Sequence, residues 1–563
     1  MQQEHERVWL KSYPADIPAT LAIPAVTMAD VLEATARRLG DRPAIYYFDT
    51  SWSWKELNEW ADRFAALLAG IGVGPGDRVA VCTQNNPHFP LVCFGAWKRG
   101  AIVVPISPML KAKEMQLLLA DSGAAVLVML DQLYQAEGRD AIQHTDVRAV
   151  FTCHESDFLE DPGVLPTSTS QPKTLDLETD LLQALSKVDP AAPSRAAVGP
   201  EDVAFLVYTS GTTGAPKGAM NLHRNLVFNA NVYRTWMKLS ENDIILAVAP
   251  LFHITGIVGH LCASAVSGAP MLLLHRFEPE TYLTYIERYR PTMTVGSITA
   301  FIALLNAPSA KKRDIRSLVK CYSGGAPIAP PIVEEFERVM GPYIHNIYGL
   351  TESNSPVTMI PLGTRAPVDP SSGALSIGLP VSNCDARIVD LEDPARSVPF
   401  GEQGQLAIRG PMLFSGYWNR PDATREAFHD GWFLTGDVAV MDGAGYVYIV
   451  DRKKDLINVS GFKVWPRDVE DVLYQHPAVR EAAVIGVPDA YRGETVKAFV
   501  ALKPEYAGRV SPEEIVAFCK ARMAAYKYPR AVEFMDEIPK TATGKFLRRS
   551  LRDRELRSQP SQP

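Results

Sequence analysis

From Arg42 to Asp131, short apolar runs alternate with amphipathic stretches, and this alternation narrows the fold more than any other feature of the chain. AIYYF, RVAVC, GAIVVPI and AAVLVML have strand length and strand composition, with helical segments between them. Strands and helices in this order bury their apolar faces as a mostly parallel sheet covered by helices. The first intervening helix opens at Ser53-Trp54-Lys55-Glu56, a capping-box pattern, and Leu57, Trp60, Ala61, Phe64 and Leu68 then fall on one face. No fixed-period repeat is present, which argues against a solenoid.

Further along, His154–Asp202 is rich in Pro, Ser, Thr and acids and reads as a surface connection with one helix around Thr179–Lys187. Alternation resumes at Val203. From Leu406 the texture turns to β, with QLAIRG and GYVYIVD. Past Asp451 a smaller unit is predicted, with strands at AAVIGV and KAFVALK and a helix over Pro512–Ala524. The expected organisation is an α/β body of parallel-rich sheets plus a β-subdomain over residues 1–451, and a small α+β domain over 452–563. With 563 residues, the chain has ample length for these cores.

Charge and cysteine content exclude other classes. Lys+Arg total 57 against 64 Asp+Glu, a net charge of -7, so the basic excess of a nucleic-acid binder is missing. The seven cysteines are scattered, with no CxxC pair, and read as buried thiols in a reducing compartment. The opening residues lack the apolar core of a signal peptide. Ile257–Leu274 is apolar but contains His260 and Pro270, and reads as core or pocket wall.

The chemistry-bearing segments begin with an apolar strand, Val203–Val207, that runs into Tyr208-Thr209-Ser210-Gly211-Thr212-Thr213-Gly214-Ala215-Pro216-Lys217-Gly218, with a helix expected from about Leu222. A glycine loop between strand and helix holds phosphate through amides, hydroxyls and a lysine charge. It is not a Walker loop, because Gly218 and not Ser or Thr follows Lys217. Four further segments are too polar and glycine-rich for plain core: Tyr322-Ser323-Gly324-Gly325, Tyr348-Gly349-Leu350-Thr351-Glu352, Trp432–Asp437 with its acid at a tight turn, and Asp451–Lys463. A fifth is Pro539–Lys545.

In this order the segments resemble the AMP-forming adenylating enzymes, a family that includes acyl-CoA synthetases, luciferases and peptide-synthetase adenylation domains. The resemblance runs over nearly the whole chain, and the opening VWLKSYPADIPATL is similar to bacterial long-chain fatty-acid CoA ligases. It implies ATP, Mg²⁺ and CoA. A carboxylate would attack the α-phosphorus of ATP to give acyl-AMP and pyrophosphate, and CoA would then displace AMP. By motif, Thr209, Ser210, Gly211, Thr212, Thr213, Gly214 and Lys217 would hold the β- and γ-phosphates. Tyr348 and Gly349 would lie at adenine, and Gly324 and Gly325 would let backbone approach the nucleotide. Thr351 would contact the α-phosphate, and Glu352 and Thr209 would ligate Mg²⁺. Asp437 and Arg452 would bind ribose. Lys545 would neutralise the substrate carboxylate and α-phosphate. Lys454 would be the hinge of a mobile C-terminal domain, with Gly461 and Phe462 on the loop that borders the CoA path. His253, Gly256, Ile257, Gly259 and Gly325 would line the acyl site.

The same resemblance implies a small carboxylic acid as partner, no nucleic acid, and a cytoplasmic location, with a peripheral contact at the inner membrane face left open. No Asp lies between His253 and Ala300 to take an amino group, and only a short tail follows Lys545. A free-standing ligase for a medium- or long-chain fatty acid is therefore expected. An aromatic-acid CoA ligase and an enzyme loading a carrier protein are the alternatives, and Ile257, where gated long-chain enzymes can carry Trp, leaves chain length open.

Overall fold

The computed structural model describes residues 7–166, 179–189, 195–209, 216–326, 328–452, 455–459, 462–489, 492–541 and 546–558. The capping box at the first predicted helix forms: Ser53 Oγ accepts from the Glu56 amide at 3.2 Å, and Glu56 Oε2 accepts from the Ser53 amide at 2.7 Å. The helix runs over Trp54–Gly70 and buries Leu57, Ala61, Phe64 and Leu68, with Trp60 half-buried. Each fully buried Leu or Phe contributes roughly 1.5–3 kcal/mol, so this one face holds the helix to its sheet.

Among the described residues, that region builds a seven-stranded sheet in the order Thr179–Asp180, Ala149–Cys153, Val126–Leu130, Arg78–Cys82, Ile102–Pro105, Val203–Thr209 and Lys217–Leu222. All neighbours are parallel except the last pair. A nine-stranded sheet packs with it and carries Met293–Gly296, Lys320–Ser323 and Ile344–Leu350 as adjacent parallel strands. One continuous apolar core spans both sheets. The predicted β-subdomain is a five-stranded sheet that includes Gly404–Arg409, Trp432–Met441 and Val447–Arg452.

Beyond residue 454 the chain forms another five-stranded sheet with its own core, where Ile457, Val469, Leu473, Val484 and Val500 meet the helix Pro512–Lys520. All seven cysteines are free and buried, and burial pushes each thiol up, to about 11 at Cys519. Among the described residues no helix is long and apolar enough to cross a membrane, and Ile257–Leu274 lies inside the body.

Three local expectations are corrected. Lys217–Leu222 is a strand antiparallel to Val203–Thr209, and the helix expected from about Leu222 follows it at His223, so the glycine segment connects strand to strand and not strand to helix. Asp437 lies within the strand Trp432–Met441, not at a tight turn; Gly436 takes a positive φ of 74° where the pairing with Gly404–Arg409 slips. The stretch from His154 is not all surface, since His154, Glu155 and Asp157 are buried.

Candidate active site

Three parallel strands of the large sheet end side by side, and their carboxyl ends carry Gly296, Ser323-Gly324-Gly325 and Tyr348–Glu352. Ligands of such sheets sit outside these ends. The Gly324 amide donates to Gly296 O at 3.1 Å, and a Cβ on Gly324 would stand 2.6 Å from Ile347 O, beside Tyr348. Gly325 is exposed with a φ of 81°. Gly349 has no room for any side chain, because a Cβ would meet Ser355 O at 1.8 Å.

Tyr348 Oη donates to Asp437 Oδ2 at 2.6 Å, which joins the large sheet to the β-subdomain. Asp437 is 4% exposed, and Arg452 lies directly across the ladder from it. On the other side, Tyr417 Oη donates to Glu352 Oε1 at 2.7 Å. Lys217 Nζ stands 5.0 Å from the centre of the Tyr417 ring, a cation–π distance. Burial, then the Glu352 charge, pushes the Tyr417 phenol well above its ordinary range, so it stays a donor. Thr209 pairs across the hairpin with Lys217. Pairwise contacts and chain neighbours thus link Thr209, Lys217, Tyr417, Glu352, Thr351, Tyr348 and Asp437 in one run.

Tyr417 was not foreseen in the sequence. It arrives because residues 415–418 add to the edge of the hairpin: Trp418 N donates to Gly218 O at 2.8 Å and Met220 N to Gly416 O at 2.9 Å. Three asparagines were also missed. Asn221 Nδ2 donates to Thr351 O at 3.0 Å, and Asn229 Nδ2 donates to Ser353 O at 2.9 Å and Asn354 O at 2.7 Å. Asn225 Nδ2 donates to Pro411 O at 2.7 Å. Their signal was a spacing of four, which puts Asn225 and Asn229 on one face of His223–Trp236. Asn221 and Asn229 hold a turn in which Asn354 and Ser355 have φ of 53° and 78°. Asn229→Ala leaves buried carbonyls short of a donor, at about 1–3 kcal/mol. This variant is expected to unfold roughly a few degrees below the wild type, which calorimetry checks.

In the segment expected to line the acyl site, His253 caps a short helical turn, with Nδ1 accepting from the Thr255 amide at 3.3 Å. Ile254, Ile257, Val258 and Leu261 are buried behind it. His260 is neutral: burial pushes its imidazole down to about 3, and Nε2 accepts from the Ala249 amide at 3.1 Å. Gly256 and Gly259 are used for close packing. A Cβ on Gly256 would lie 2.1 Å from Pro250 O, and one on Gly259 would lie 2.8 Å from Val295 and 3.0 Å from Tyr233. Ser210, Gly211, Thr212, Thr213, Gly214, Lys454, Gly461 and Lys545 fall outside the described residues, as do the side chains of Arg452 and Phe462.

Residues 32–418 match the family model of the AMP-binding enzyme, and residues 468–545 match that of the AMP-binding enzyme C-terminal domain. The chain is 36% identical to a long-chain-fatty-acid–CoA ligase of Bacillus subtilis, over 98% of this chain and 99% of the relative. It is equally 36% identical to a ligase of the same name from Escherichia coli, over 97% and 98%. Among solved structures, an anthranilate CoA ligase in complex with anthranoyl-AMP superimposes with a TM-score of 0.84 at 28% identity, over 96% of this chain and 98% of the other. With both domain models matched in order and likeness running end to end, the chain belongs to the AMP-binding enzyme family.

Proposed function

We propose that the protein is an AMP-forming acid–thiol ligase that activates a medium- or long-chain fatty acid with ATP and passes the acyl group to CoA. The observation that carries this reading is the run Lys217–Tyr417–Glu352–Tyr348–Asp437, which brings a cation, a carboxylate, an aromatic ring and a second carboxylate together in that order. The order suits a triphosphate, then a base and ribose.

In the first step the substrate carboxylate oxygen attacks the α-phosphorus, the bond to the bridging oxygen breaks, and pyrophosphate leaves. The carboxylate is already a nucleophile, so no general base is needed. Two anions must meet, and charge neutralisation and in-line alignment are the work of the site. Lys217 and the loop over 210–214 take the departing phosphates, Tyr348 stacks on adenine, Asp437 accepts from the ribose hydroxyls with Arg452 assisting there, and Thr351 steadies the α-phosphate. Lys545 bridges carboxylate and α-phosphate. In the second step the CoA sulfur attacks the acyl carbon, the acyl–phosphate bond breaks, AMP leaves, and the thiol proton goes to solvent.

Glu352 and Thr209 offer hard oxygen donors beside the phosphate loop, a set that fits Mg²⁺ shared with phosphate oxygens. When bound there, Mg²⁺ would offset charge on the phosphates. Residues 1–451 form the adenylating body and 452–563 a domain that swings about Lys454 to bring Gly461 and Phe462 to the CoA path. This exchange removes Lys545 once its step is finished.

For the acid, the long-chain relatives and the uncharged wall behind His253 favour an alkyl chain. Each accommodated methylene contributes up to ~0.8 kcal/mol, roughly fourfold in kcat/KM. Efficiency is expected to climb from butyrate through the medium-chain acids and then level off or fall by stearate. A flat series with an optimum at benzoate or coumarate would favour an aromatic-acid ligase, the class of the anthranilate enzyme above. Filling Gly259 with Trp would have to displace Tyr233 and Val295, so the substrate series is the cleaner test.

A further inference from the structure

The hairpin that carries Thr209 and Lys217 is held from outside by one carboxylate. Tyr208 and Gly218 pair across the hairpin directly beside Thr209 and Lys217. The tip of the Tyr208 ring lies against Gly218, where a Cβ would stand 3.2 Å from Cζ. Tyr208 Oη then donates to Asp121 Oδ2 at 2.7 Å. Burial, then this bond, pushes the Tyr208 phenol well above its ordinary range, so it stays a donor. The other oxygen of Asp121, Oδ1, accepts from Arg420 Nη2 at 2.7 Å. Arg420 belongs to the segment that brings Tyr417, and its amide donates to the Tyr417 carbonyl at 3.2 Å. The two oxygens of Asp121 thus reach the two pieces of chain on which Lys217 Nζ and the Tyr417 ring stand 5.0 Å apart.

Asp121 stands on firm ground. It lies in the last turn of the helix Ala112–Ser122. A carboxylate there opposes the helix dipole, which favours cations at that end. Arg78 supplies one: Nε donates to Ser122 O and Nη2 to Gly123 O, both at 2.7 Å. The same guanidinium stands 5.8 Å from the centre of the Trp418 ring, next to Tyr417 in the chain. Arg78 opens the strand Arg78–Cys82, which has a parallel neighbour on each side. The helix end is therefore fixed to the middle of the seven-stranded sheet, and Asp121 is a fixed point against which the hairpin is set.

We propose that Asp121 is a positioning residue for adenylation: through Tyr208 and Arg420 it sets Lys217 and Tyr417 against each other where the departing phosphates are received. The proposal rests on the reading above, in which Lys217 takes those phosphates. Asp121 itself touches no substrate. A misplacement of about 1 Å in a group that aligns reactants can cost roughly a hundredfold in rate. The second half-reaction holds no pyrophosphate and does not call on Lys217. Loss of Asp121 is therefore felt in the step that uses ATP and not in the transfer to CoA, whereas a general loosening of the fold would slow both.

The test uses the full-length protein and follows two rates: pyrophosphate exchange as ATP is varied, and thioester formation from preformed acyl-adenylate and CoA. Asp121→Ala is expected to lower kcat/KM for ATP by ~10–100-fold and to leave the transfer to CoA near the wild-type rate. Asp121→Asn, which still accepts through one oxygen, should regain part of the loss. Adding Tyr208→Phe to Asp121→Ala should lower the exchange no further, because both remove the same link. Wild-type kcat/KM for ATP in folded Asp121→Ala, an equal fall in both rates, or losses that add in the double variant would each overturn the proposal. If Asp121→Ala does not fold, Tyr208→Phe decides, since it keeps the ring on Gly218 and removes only the bond to Asp121. It is expected to lower kcat/KM for ATP alone, by roughly tenfold, and an unchanged value would contradict the assignment. Exchange in the wild type reports on the ligase reading by itself: none with any acid would remove that reading and this proposal together, while wild-type exchange with unaffected variants would remove only the proposal.

Discussion

Lys545→Ala is expected to lose acyl-adenylate formation by ~10²–10³-fold or more, the cost of removing a key electrostatic group from a transition state. The same variant, given preformed acyl-adenylate and CoA, should make thioester at a near wild-type rate. The split follows from the two half-reactions. Two anions meet only in the first, where, on the proposed mechanism, the lysine charge would lie between carboxylate and α-phosphate. By the second the domain that carries Lys545 would have turned away. Single-turnover assays of each half-reaction separate the two rates; an equal fall in both, in a folded variant, would mean that the lysine serves the site in some other way.

Glu352→Gln is the second large effect. The substitution keeps size and can still accept from Tyr417, whose Oη lies 2.7 Å from Oε1, but it removes the negative charge. Adenylation is expected to fall by ~10²–10³-fold and to recover in part as Mg²⁺ is raised, because the lost ligand weakens metal binding more than it disturbs the turn. Tyr417→Phe removes one hydrogen bond to a charged group, at about 1.5–3 kcal/mol, and should cost roughly tenfold to a hundredfold. Exchange of labelled pyrophosphate into ATP, measured across a Mg²⁺ series, ranks the three proteins. A Glu352→Gln enzyme with wild-type activity at low Mg²⁺ would remove Glu352 from the metal site.

The parts of this fold that were legible in sequence are those fixed by short-range physics. Ser53 and Glu56 close a capping box over three residues, and Leu57 to Leu68 keep helical period, so helix and buried face both came out as read. Lys217–Leu222 did not, because KGAMNL has neither the period nor the composition of a strand; it is one only because Val203–Thr209 pairs with it. Gly436-Asp437 carries turn chemistry, yet the structure uses the glycine to slip a ladder register within a continuous strand. Asn221 and Asn229 offered only their spacing as a signal, since their partners are carbonyls 130 and 124 or more residues away. The family motifs named Tyr348, Glu352, Asp437 and Lys217. The tyrosine that links two of them, Tyr417, lay in a segment without a motif.

The central claim is tested most directly by the products of one reaction. The purified protein, ATP, Mg²⁺, CoA and dodecanoate are incubated together, and nucleotides, phosphates and thioester are measured in the same sample. AMP, pyrophosphate and dodecanoyl-CoA are expected in equal amounts, with no AMP released when the acid is left out. ADP and inorganic phosphate as products, or acyl-adenylate that accumulates without thioester in the presence of CoA, would contradict the account.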